Sequence, residues 1–337
     1  MLRKNNKILI YDRDTLDLKF EISIAVDIVI KTNRDTFTDT CSIVLPNNIK
    51  DNSNVVDKIL IGDVIEVYLG YFPNLKKEFS GYIVRVGKDS PLEIDCEDES
   101  FVFKRTSLSA KTYKNTTISE VIGDLYDGET NIVDASIGDL RIEENATLIK
   151  VLDLFKSKYG VLSYFQDGVL NINQNIISDQ KDNLYLISVQ DNVPQGSSTL
   201  KFQDNQANVV VSHGVSVQRN GTKIELYATY KDNSIGNEIV VSDIKPLGTL
   251  NTLKIPDLNK EALTELIKRR LPRLYYTGVS GDISTFGEPS IKHGQAIRLK
   301  DERIPEKNGD YRVLSVEKMY TFSGGYKQKL KLGLKIN

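Results

Sequence analysis

The residues that could carry acid–base or metal chemistry are few and widely separated along the chain. His213 and His293 are the two histidines, and neither has a Cys, Asp or Glu nearby at the spacing of a metal site or a catalytic triad. Cys41 and Cys96 form no metal-binding motif, and two cysteines are too few for a disulfide framework. We therefore predict structural histidines and free, partly buried thiols in a reducing compartment.

Carboxylates are abundant, above all in the stretch EIDCEDES at residues 93–100. A glycosidase requires two carboxylates in one cleft, with the pKa of one of them raised. Here, Glu93, Asp95 and Glu97 alternate with apolar residues, which is the pattern of the solvent-facing side of a strand. We interpret these three carboxylates as a solvated acidic face, and such a face could line a channel.

Four basic residues lie at the end of the helix predicted over 257–271: Lys268, Arg269, Arg270 and Arg273. Cations at a helix C-terminus complement the helix dipole, which alone accounts for their position. The alternative is that they contact an acidic patch on a partner subunit. Nucleic-acid binding is disfavoured because no aromatic residues are interleaved with these charges and the net charge is -2. No nucleotide-binding, nucleophile-elbow or zinc-protease motif occurs, so we predict no enzymatic activity, metal or cofactor.

The composition is typical of a globular protein, because 40% of the 337 residues are hydrophobic and 27% are charged. This length predicts two or three domains. No apolar run approaches the ~18 residues needed to span a bilayer. The basic N-terminus is followed only by Ile8-Leu9-Ile10, which is too short for the core of a signal peptide. We predict a soluble protein that folds in a cytosol and does not insert into a membrane.

Residues 1–105 have the pattern of successive short strands. In the stretch EISIAVDIVI, residues 21–30, five apolar residues recur at every second position, which places one apolar face inward. Turn residues separate the further alternating stretches, and no long helix interrupts them. This pattern predicts a small β-sandwich or β-barrel.

Residues 106–190 have a different pattern. The sequence TISE at 117–120 forms a capping box at the start of an amphipathic helix. A second helix is predicted to end at Gly160. Asp167-Gly168, between two alternating stretches, predicts a β-hairpin. The segment is therefore a small α/β insert of helix, helix and hairpin.

Residues 191–337 return to strands, with one helix predicted over 257–271, capped by Asn259 and ended by Pro272. Near the C-terminus, the stretch GDYRVLSVEKMYTF carries apolar residues on both sides of an alternating pattern. Such a strand is either covered on both faces or extends beyond its own domain to a neighbour.

Two short stretches share one pattern: ILIGDVIEVYL at 59–69 and IKHGQAIRLKD at 291–301. Each has a Gly, then a polar residue, then alternating apolar and charged positions. A polar loop, a Gly-containing turn and a further alternating strand follow in both. The repeat predicts two copies of one barrel-like module. The predicted fold is mainly β, with modules at 1–105 and 191–337 that flank the insert at 106–190.

This layout resembles the baseplate hub proteins of long-tailed phages, a family that includes the late control protein D group and is similar to the base of type VI secretion spike proteins. The resemblance covers nearly the whole chain and rests on the order of the elements. Its most family-like stretches are GDVIEVYLGY…FSGYIVRVGKDSPLEIDCEDESFVFKR, TTISEVIGDLY and GDYRVLSVEKMYTFSGGYKQKLKLGLK. It implies two tube-type β-barrels that flank a helix-helix-hairpin domain.

The resemblance also implies a structural role in a virion tail. Three chains with two barrels each would form a ring of six similar barrels, which adapts a sixfold tail tube to a threefold spike. The implied partners are two further copies of the chain, a tail-tube or distal tail protein, the tail spike, and DNA that passes without specific binding. The implied location is the tail tip or baseplate, after assembly in the host cytoplasm.

Within such a ring, the edges of the long C-terminal strands are the expected subunit interface. Glu93, Asp95 and Glu97 would face the lumen, where negative charge keeps DNA from adhering. We also expect no fused lysozyme, peptidase or spike domain after Asn337. Two alternatives stay open. One is a hub of a non-phage contractile injection system, and the other is a tail protein that binds or cleaves glycans on aromatic platforms.

Overall fold

The computed structural model describes residues 4–46, 57–87, 91–174, 184–194, 198–204, 209–275 and 277–336. Over these residues the chain is mainly β, as the sequence predicts. The helical segments are short. None of the helices in the described ranges combines the length and the apolar character that a membrane crossing requires.

The first part of the chain forms seven strands and one short helix. Their bounds are β1 Lys4–Tyr11, β2 Leu18–Ile22, β3 Asp27–Asn33, β4 Thr40–Leu45, β5 Val64–Tyr71, β6 Asn74–Gly87, β7 Leu92–Glu97 and α1 Ser100–Arg105. Alternate side chains of β4 and β7 are buried, which gives each strand one inward face. The inward residues form the first hydrophobic core, in which isoleucine is the commonest residue.

The segment predicted as the α/β insert alternates short strands and helices. Their bounds are β8 Ser107–Leu108, β9 Lys111–Thr117, α2 Ile118–Leu125, β10 Thr130–Ile132, β11 Ser136–Ile142, β12 Ala146–Thr147, α3 Leu148–Leu154, a π-helical turn Phe155–Tyr159, β13 Val161–Gln166 and β14 Val169–Gln174. The predicted capping box is confirmed, because the Thr117 hydroxyl accepts the Glu120 N–H and the Glu120 carboxylate accepts the Thr117 N–H. The π-helical turn ends at Gly160, as predicted. Both helices contribute to a second core.

The last part of the chain adds ten strands. Its elements are β15 Tyr185–Ser188, α4 Val189–Asn192, β16 Lys201–Asp204, β17 Val210–Val217, β18 Lys223–Tyr230, a 3-10 turn Lys231–Asn233, β19 Ile239–Ser242, β20 Thr249–Pro256, α5 Lys260–Leu274, β21 Thr277–Phe286, β22 Ala296–Lys300, a 3-10 turn Pro305–Lys307, β23 Gly309–Thr321 and β24 Gly325–Lys335. Asn259 caps α5, as predicted, by accepting the Ala262 N–H at 2.8 Å. The prediction that Pro272 ends this helix is wrong. The helix continues to Leu274, because a proline in the last turn removes only one intrahelical hydrogen bond.

Thirteen strands form one sheet. Its order is β16-β21-β24-β23-β3-β4-β7-β6-β5-β1-β2, and β22 and β15 branch from β23. A third core lies along β15, β21, β22, β23 and β24. Strands β17 to β20 form a separate sheet, and α5 packs on it to form a fourth core. The domain boundaries near 105 and 190 and the closure of each barrel stay predictions.

Strand β23 joins the two halves of the long sheet. One half contains β15, β16, β21, β22 and β24, and the other contains β1 to β7. Its first residues pair with β22, whereas residues 315–321 pair with β3. A bulge around Leu314 switches the buried side of the strand, so that Tyr311 and Val313 enter the third core and Tyr320 enters the first. This switch accounts for the apolar residues on both sides of the strand. The strand thus reaches β3, in the first part of the chain, whereas its extension beyond a domain of its own stays a prediction.

The long C-terminal strands lie inside the sheet and not at its edge. Strand β24 pairs with β21 and β23, and β23 pairs along its other side with β22 and β3. The expectation that these strands present open edges to a partner is therefore wrong. Within the described residues, the strands of the long sheet that are paired on one side alone are β2, β15 and β16.

Candidate functional site

The two stretches that share a sequence pattern fold into the same turn. In the first, Gly62 has a φ of 94° and donates its N–H to the Ile83 carbonyl at 2.8 Å. The Ile83 N–H donates back to the Asp63 carbonyl at 2.9 Å. The Asp63 side chain accepts the Leu60 N–H at 2.9 Å and closes the turn. A glycine suits this position because other residues rarely adopt a positive φ.

The second turn repeats each of these interactions. Gly294 has a φ of 81° and donates its N–H to the Val313 carbonyl at 2.7 Å. The Val313 N–H donates back to the Gln295 carbonyl at 2.9 Å. The Gln295 side chain accepts the Lys292 N–H at 2.9 Å. The shared sequence pattern therefore encodes one structural element that is used twice, once before β5 and once before β22.

A β-bulge on β6 directs one side chain toward β23 and β24. Along β5 and β6, Val67 pairs with Phe79 and Tyr68 pairs with Lys77, so Glu78 is the additional residue on β6. A bulge of this kind redirects a side chain away from the regular alternation. Here, the Glu78 side chain is 2% exposed and meets residues of β23 and β24.

Glu78 forms a buried ion pair with Lys318 of β23, whose side chain is 4% exposed. The Ser290 hydroxyl donates to Glu78 at 3.0 Å and accepts from Lys318 at 2.7 Å, and the Tyr326 hydroxyl donates to Glu78 at 3.1 Å. Burial lowers the pKa of Lys318 and raises the pKa of Tyr326. The network links β6, β23, β24 and the loop before β22, so it connects the two halves of the sheet.

Beside this network lies a cavity of about 170 Å³ whose lining includes Asp39, Asp98, Glu99 and His293. Asp98 follows β7, and its carboxylate accepts the N–H groups of Ser100 and Asp39, both at 3.1 Å. Asp39 precedes β4, and its carboxylate accepts the N–H of Asn33 at 3.1 Å. These backbone hydrogen bonds hold two carboxylates in the wall of the cavity.

Burial dominates the electrostatics of this cavity. It raises the pKa of Asp98 to about 6, and it raises the pKa of Asp39 well above the usual range, with a further contribution from the charge of Asp98. Burial also raises the pKa of Glu99 and lowers the pKa of His293 to about 4. In the described part of the chain, no group of three or more His, Cys, Asp and Glu side chains has the geometry of a metal site.

Comparison with solved structures places this architecture among tail proteins. No family model and no curated protein matches the chain. The chain is similar to the tail protein from Neisseria meningitidis MC58, at 14% identity and a TM-score of 0.62, over 98% of this chain and 96% of that one. It is also similar to the 43 kDa tail protein of prophage MuSo2 from Shewanella oneidensis, at 11% identity and a TM-score of 0.59, over 98% and 97%. This chain has the fold of these tail proteins.

The same fold extends to secretion machinery. The chain is similar to the E. coli c3393 protein, at 9% identity and a TM-score of 0.50, over 92% of this chain and 73% of that one. That protein is described as a component of the type VI secretion system with structural similarity to the T4 tail proteins gp27 and gp5. The predicted resemblance to baseplate hub proteins is thus confirmed at the level of the fold.

Within this tail-protein fold, the acidic residues of β7 lie on the solvent side, as predicted. Glu93 and Asp95 form ion pairs with Arg85 at 3.2 and 2.6 Å, and Glu97 forms one with Lys104 at 2.9 Å. Each of the three carboxylates therefore has a cation beside it. Their placement in a channel stays a prediction.

The four basic residues of α5 do not act as one patch. Arg270 turns toward β20, where it donates to the Asn251 carbonyl at 2.8 Å and to the Asn251 side chain. Burial lowers the pKa of Arg270 to about 10. Lys268 pairs with Glu265 on the same helix at 3.6 Å. Contact of Lys268, Arg269, Arg270 and Arg273 with a partner stays a prediction.

His213 and the two cysteines have the structural surroundings that the sequence predicts, except that the thiols are fully and not partly buried. Cys41 and Cys96 are buried free thiols that face each other across β4 and β7, and burial raises the pKa of both. His213 stacks on Tyr227 at 4.5 Å between ring centroids. His293 differs, because the fold brings it to the cavity, where its Nε2 lies 3.9 Å from a carboxylate oxygen of Asp39. No spacing in the sequence indicates this pair.

Proposed function

We propose that this chain is a structural hub protein of a tail baseplate. Three copies would form a ring of six similar β units, which adapts a sixfold tail tube to a threefold spike. The observation that carries the proposal is the repeated turn at Gly62 and Gly294, because it provides the same β element twice in one chain. Three chains with two such elements give six similar positions while the ring keeps threefold symmetry. The tail-protein fold supports the same role.

In this proposal, residues 1–105 and 191–337 contain the two tube-type barrels and residues 106–190 form the insert between them. The first and third hydrophobic cores support this division, because they lie in different halves of the long sheet. The hub has no catalytic role and requires no cofactor. Its partners are two further copies, a tube or distal tail protein, and the spike, and its location is the tail tip.

The outward side of β7 is the candidate channel wall, formed in part by Glu93, Asp95 and Glu97. Their ion pairs with Arg85 and Lys104 bring this surface close to electrical neutrality. DNA would then pass because the surface is hydrated and offers no excess of cations. The double charge reversal Asp95→Lys and Glu97→Lys should slow DNA delivery by assembled particles, and unchanged delivery would contradict the channel placement.

The mass of the purified protein in solution tests the ring. Three chains of 37.9 kDa give a particle of about 114 kDa by light scattering, and class averages should show a central hole within a nearly sixfold outline. The same measurement is repeated with a tube protein and a spike protein from the same genome, because a ring can close on a partner. A particle that stays a monomer in the presence of both partners would overturn the proposal.

A second candidate function is a hub of a non-phage contractile injection system, which the similarity to the E. coli c3393 protein supports. Neighbouring genes distinguish the two, since capsid and terminase genes accompany a phage tail. The glycan alternative has less support. Every tyrosine in the described ranges is buried or half-buried, and none is available as an open aromatic platform. Turnover of cell-wall glycans by the purified chain would revive that alternative.

A further inference from the structure

The last strand, β24, carries lysines at regular intervals on one side of the long sheet. In the stretch KQKLK, lysine alternates with Gln328 and Leu330, which are both buried. Because side chains alternate between the two sides of a strand, Lys327, Lys329 and Lys331 project together from the other side, about 6.8 Å from one to the next. These three side chains form the lysine row. Its spacing is fixed, since β24 is paired along both edges over these residues.

The lysine row lies on the same side of the sheet as the acidic residues of β7. Residues directly opposite each other on paired strands project to the same side. One such line of pairs runs from Glu97 through Thr40, Lys31 and Glu317 to Lys329. The row and β7 therefore share one continuous outer face, on which they are separated by four strand spacings, or about 19 Å along the sheet.

The lysine row leaves positive charge without a partner on this outer face. Lys329 pairs with Asp282 at 3.1 Å. Within the described residues, Lys327 and Lys331 form no ion pair. The neighbouring Glu317 is matched by a lysine of β3 at 3.6 Å. The β24 side of the outer face thus offers two cations that no described carboxylate neutralises, whereas each acidic residue of β7 has a cation beside it.

A groove of about 470 Å³ lies beside the lysine row. Its lining includes Lys329 and Lys331, and the loop between β3 and β4 contributes Thr36 and Thr38. Among the described residues that line it, all but one are polar or charged, five carry a hydroxyl group and none is aromatic. Such a lining provides hydrogen bonds to phosphate and sugar oxygens, and it has no platform on which a base could stack.

We propose that the lysine row contacts the phosphates of the DNA that passes through the tail. The inference rests on the proposed hub role, in which the outer face of β7 lines the channel, because the row shares that face. A DNA strand advances about 3.4 Å along the helix axis per phosphate, so β24 running along a duplex would place a lysine beside every second phosphate. Such contacts read no base, which agrees with passage without specific binding.

An acidic protein segment fits this surface less well than DNA does. Protein contacts depend on a few aromatic or apolar anchors, and none of the described residues that line the groove is aromatic. The division of charge on the outer face also suits a moving polyanion. The β24 side attracts the duplex, and the β7 side, where each carboxylate has its own cation, holds no surplus charge to retain it.

Binding of DNA to the purified chain tests the lysine row. The probe is a fluorescent duplex of about 20 base pairs, titrated by anisotropy at several salt concentrations. Contact with three phosphates predicts an affinity that falls about 40-fold between roughly 50 and 200 mM salt. The double variant Lys327→Gln and Lys331→Gln should fall only about 3- to 4-fold, because one contact remains. This variant should fold normally, since neither lysine forms an ion pair with a described residue.

The matched control is Lys114→Gln with Lys150→Gln, which changes the net charge equally at two exposed positions in residues 106–190. It should bind DNA like the wild-type chain. The proposal is overturned if the two double variants show the same salt dependence, or if the wild-type chain binds no DNA at about 50 mM salt. Binding of a hexaglutamate peptide in place of DNA would also overturn it and would identify an acidic protein segment as the partner.

The DNA measurement and the mass measurement fail independently, because the lysine row lies within one chain. A monomer that binds DNA through the row would contradict the hub ring and leave the row as a phosphate-binding surface. A trimeric ring that binds no DNA would leave the hub role intact and contradict this inference alone.

Discussion

Replacing Asp98 by Asn should change how the stability of the protein depends on pH. Asp98 is 4% exposed, and burial raises its pKa to about 6 from a usual value near 3.9. A carboxyl group with a higher pKa in the folded state stabilises the fold while it is protonated. That contribution is present below about pH 4 and is lost as the pH rises through 6. The Asn variant has no proton to lose and therefore lacks this dependence.

The magnitude follows from the two pKa values of Asp98. They differ by about 2 units, and each unit corresponds to 1.36 kcal/mol, so the wild-type protein loses about 2 to 3 kcal/mol between roughly pH 4 and 7.5 through this group. Asp98→Asn also removes a carboxylate oxygen that accepts a backbone N–H, which lowers stability at every pH. The deficit of the variant relative to wild type should therefore shrink by about 2 to 3 kcal/mol across this range.

His293 should show the opposite sign. Burial lowers the pKa of His293 to about 4 from 6.5, so the neutral ring stabilises the fold above pH 6.5 and this contribution is lost as the pH falls. As the pH falls from roughly 7.5 to 4, the free energy of unfolding of His293→Gln should rise by about 3 kcal/mol relative to that of wild type. The pH-dependent contributions of Asp98 and His293 to the free energy of unfolding largely cancel in the wild-type protein, and only the single variants reveal them.

The assay is urea unfolding of each protein at several pH values, with the free energy of unfolding compared with wild type at each pH. The comparison removes, to a first approximation, the titration of Lys77, Glu78, Glu99, Asp167, Lys292 and Lys318 around the cavity. Asp39 is the exception in the Asp98 variant, because the charge of Asp98 contributes to the raised pKa of Asp39. Asp14→Asn is the control, because its side chain is 80% exposed, and its effect should stay within about 0.5 kcal/mol. The reasoning is refuted if Asp98→Asn and Asp14→Asn give parallel curves, or if the Asp98 and His293 variants respond with the same sign.

The other predictions concern the ion pair and the repeated turn. Lys318→Met should lower the free energy of unfolding by about 3 to 5 kcal/mol because it leaves Glu78 buried without a cation, and adding Glu78→Gln should recover most of the loss; no recovery in the double variant would contradict a paired role. Gly62→Ala and Gly294→Ala should each lower the free energy of unfolding by about 1 to 2 kcal/mol, because an alanine is strained at the positive φ of these positions. A steric clash does not contribute, since an added Cβ meets at most Arg13 at 3.4 Å. Gly123→Ala, in helix α2, should instead stabilise by up to about 1 kcal/mol, and equal effects at all three glycines in thermal unfolding would disprove this account.

Features that depend on neighbours in the sequence could be predicted. The capping box at Thr117 and the hairpin at Asp167-Gly168 both occur where the sequence places them, because a few adjacent residues determine their geometry. The repeated pattern around Gly62 and Gly294 is also visible in the sequence, whereas the positive φ of each glycine is seen in the structure alone. Such signals need no knowledge of the tertiary fold.

The junction could not be predicted because its residues meet only through long-range pairing. Glu78 is directed inward by a bulge, and a bulge leaves no clear sign in an alternating sequence. One signal was available: Lys318 alternates with Val316 and Tyr320, both of which are buried. A lysine in line with buried apolar residues indicates a buried ion pair, although its partner, 240 positions away, is not evident from the sequence.

The path of β23 explains why a buried ion pair lies where it does. A single strand contributes to the third core with its first residues and to the first core with its last, so the two halves of the long sheet are hydrogen-bonded into one body. Where the strand passes into the half of the sheet that contains β3, its buried side includes Lys318, which must be matched by an anion from another part of the chain. The bulge at Glu78 supplies that anion. This arrangement makes the long sheet rigid, because its two halves cannot rotate against each other without breaking both the strand pairing and the buried charge pair.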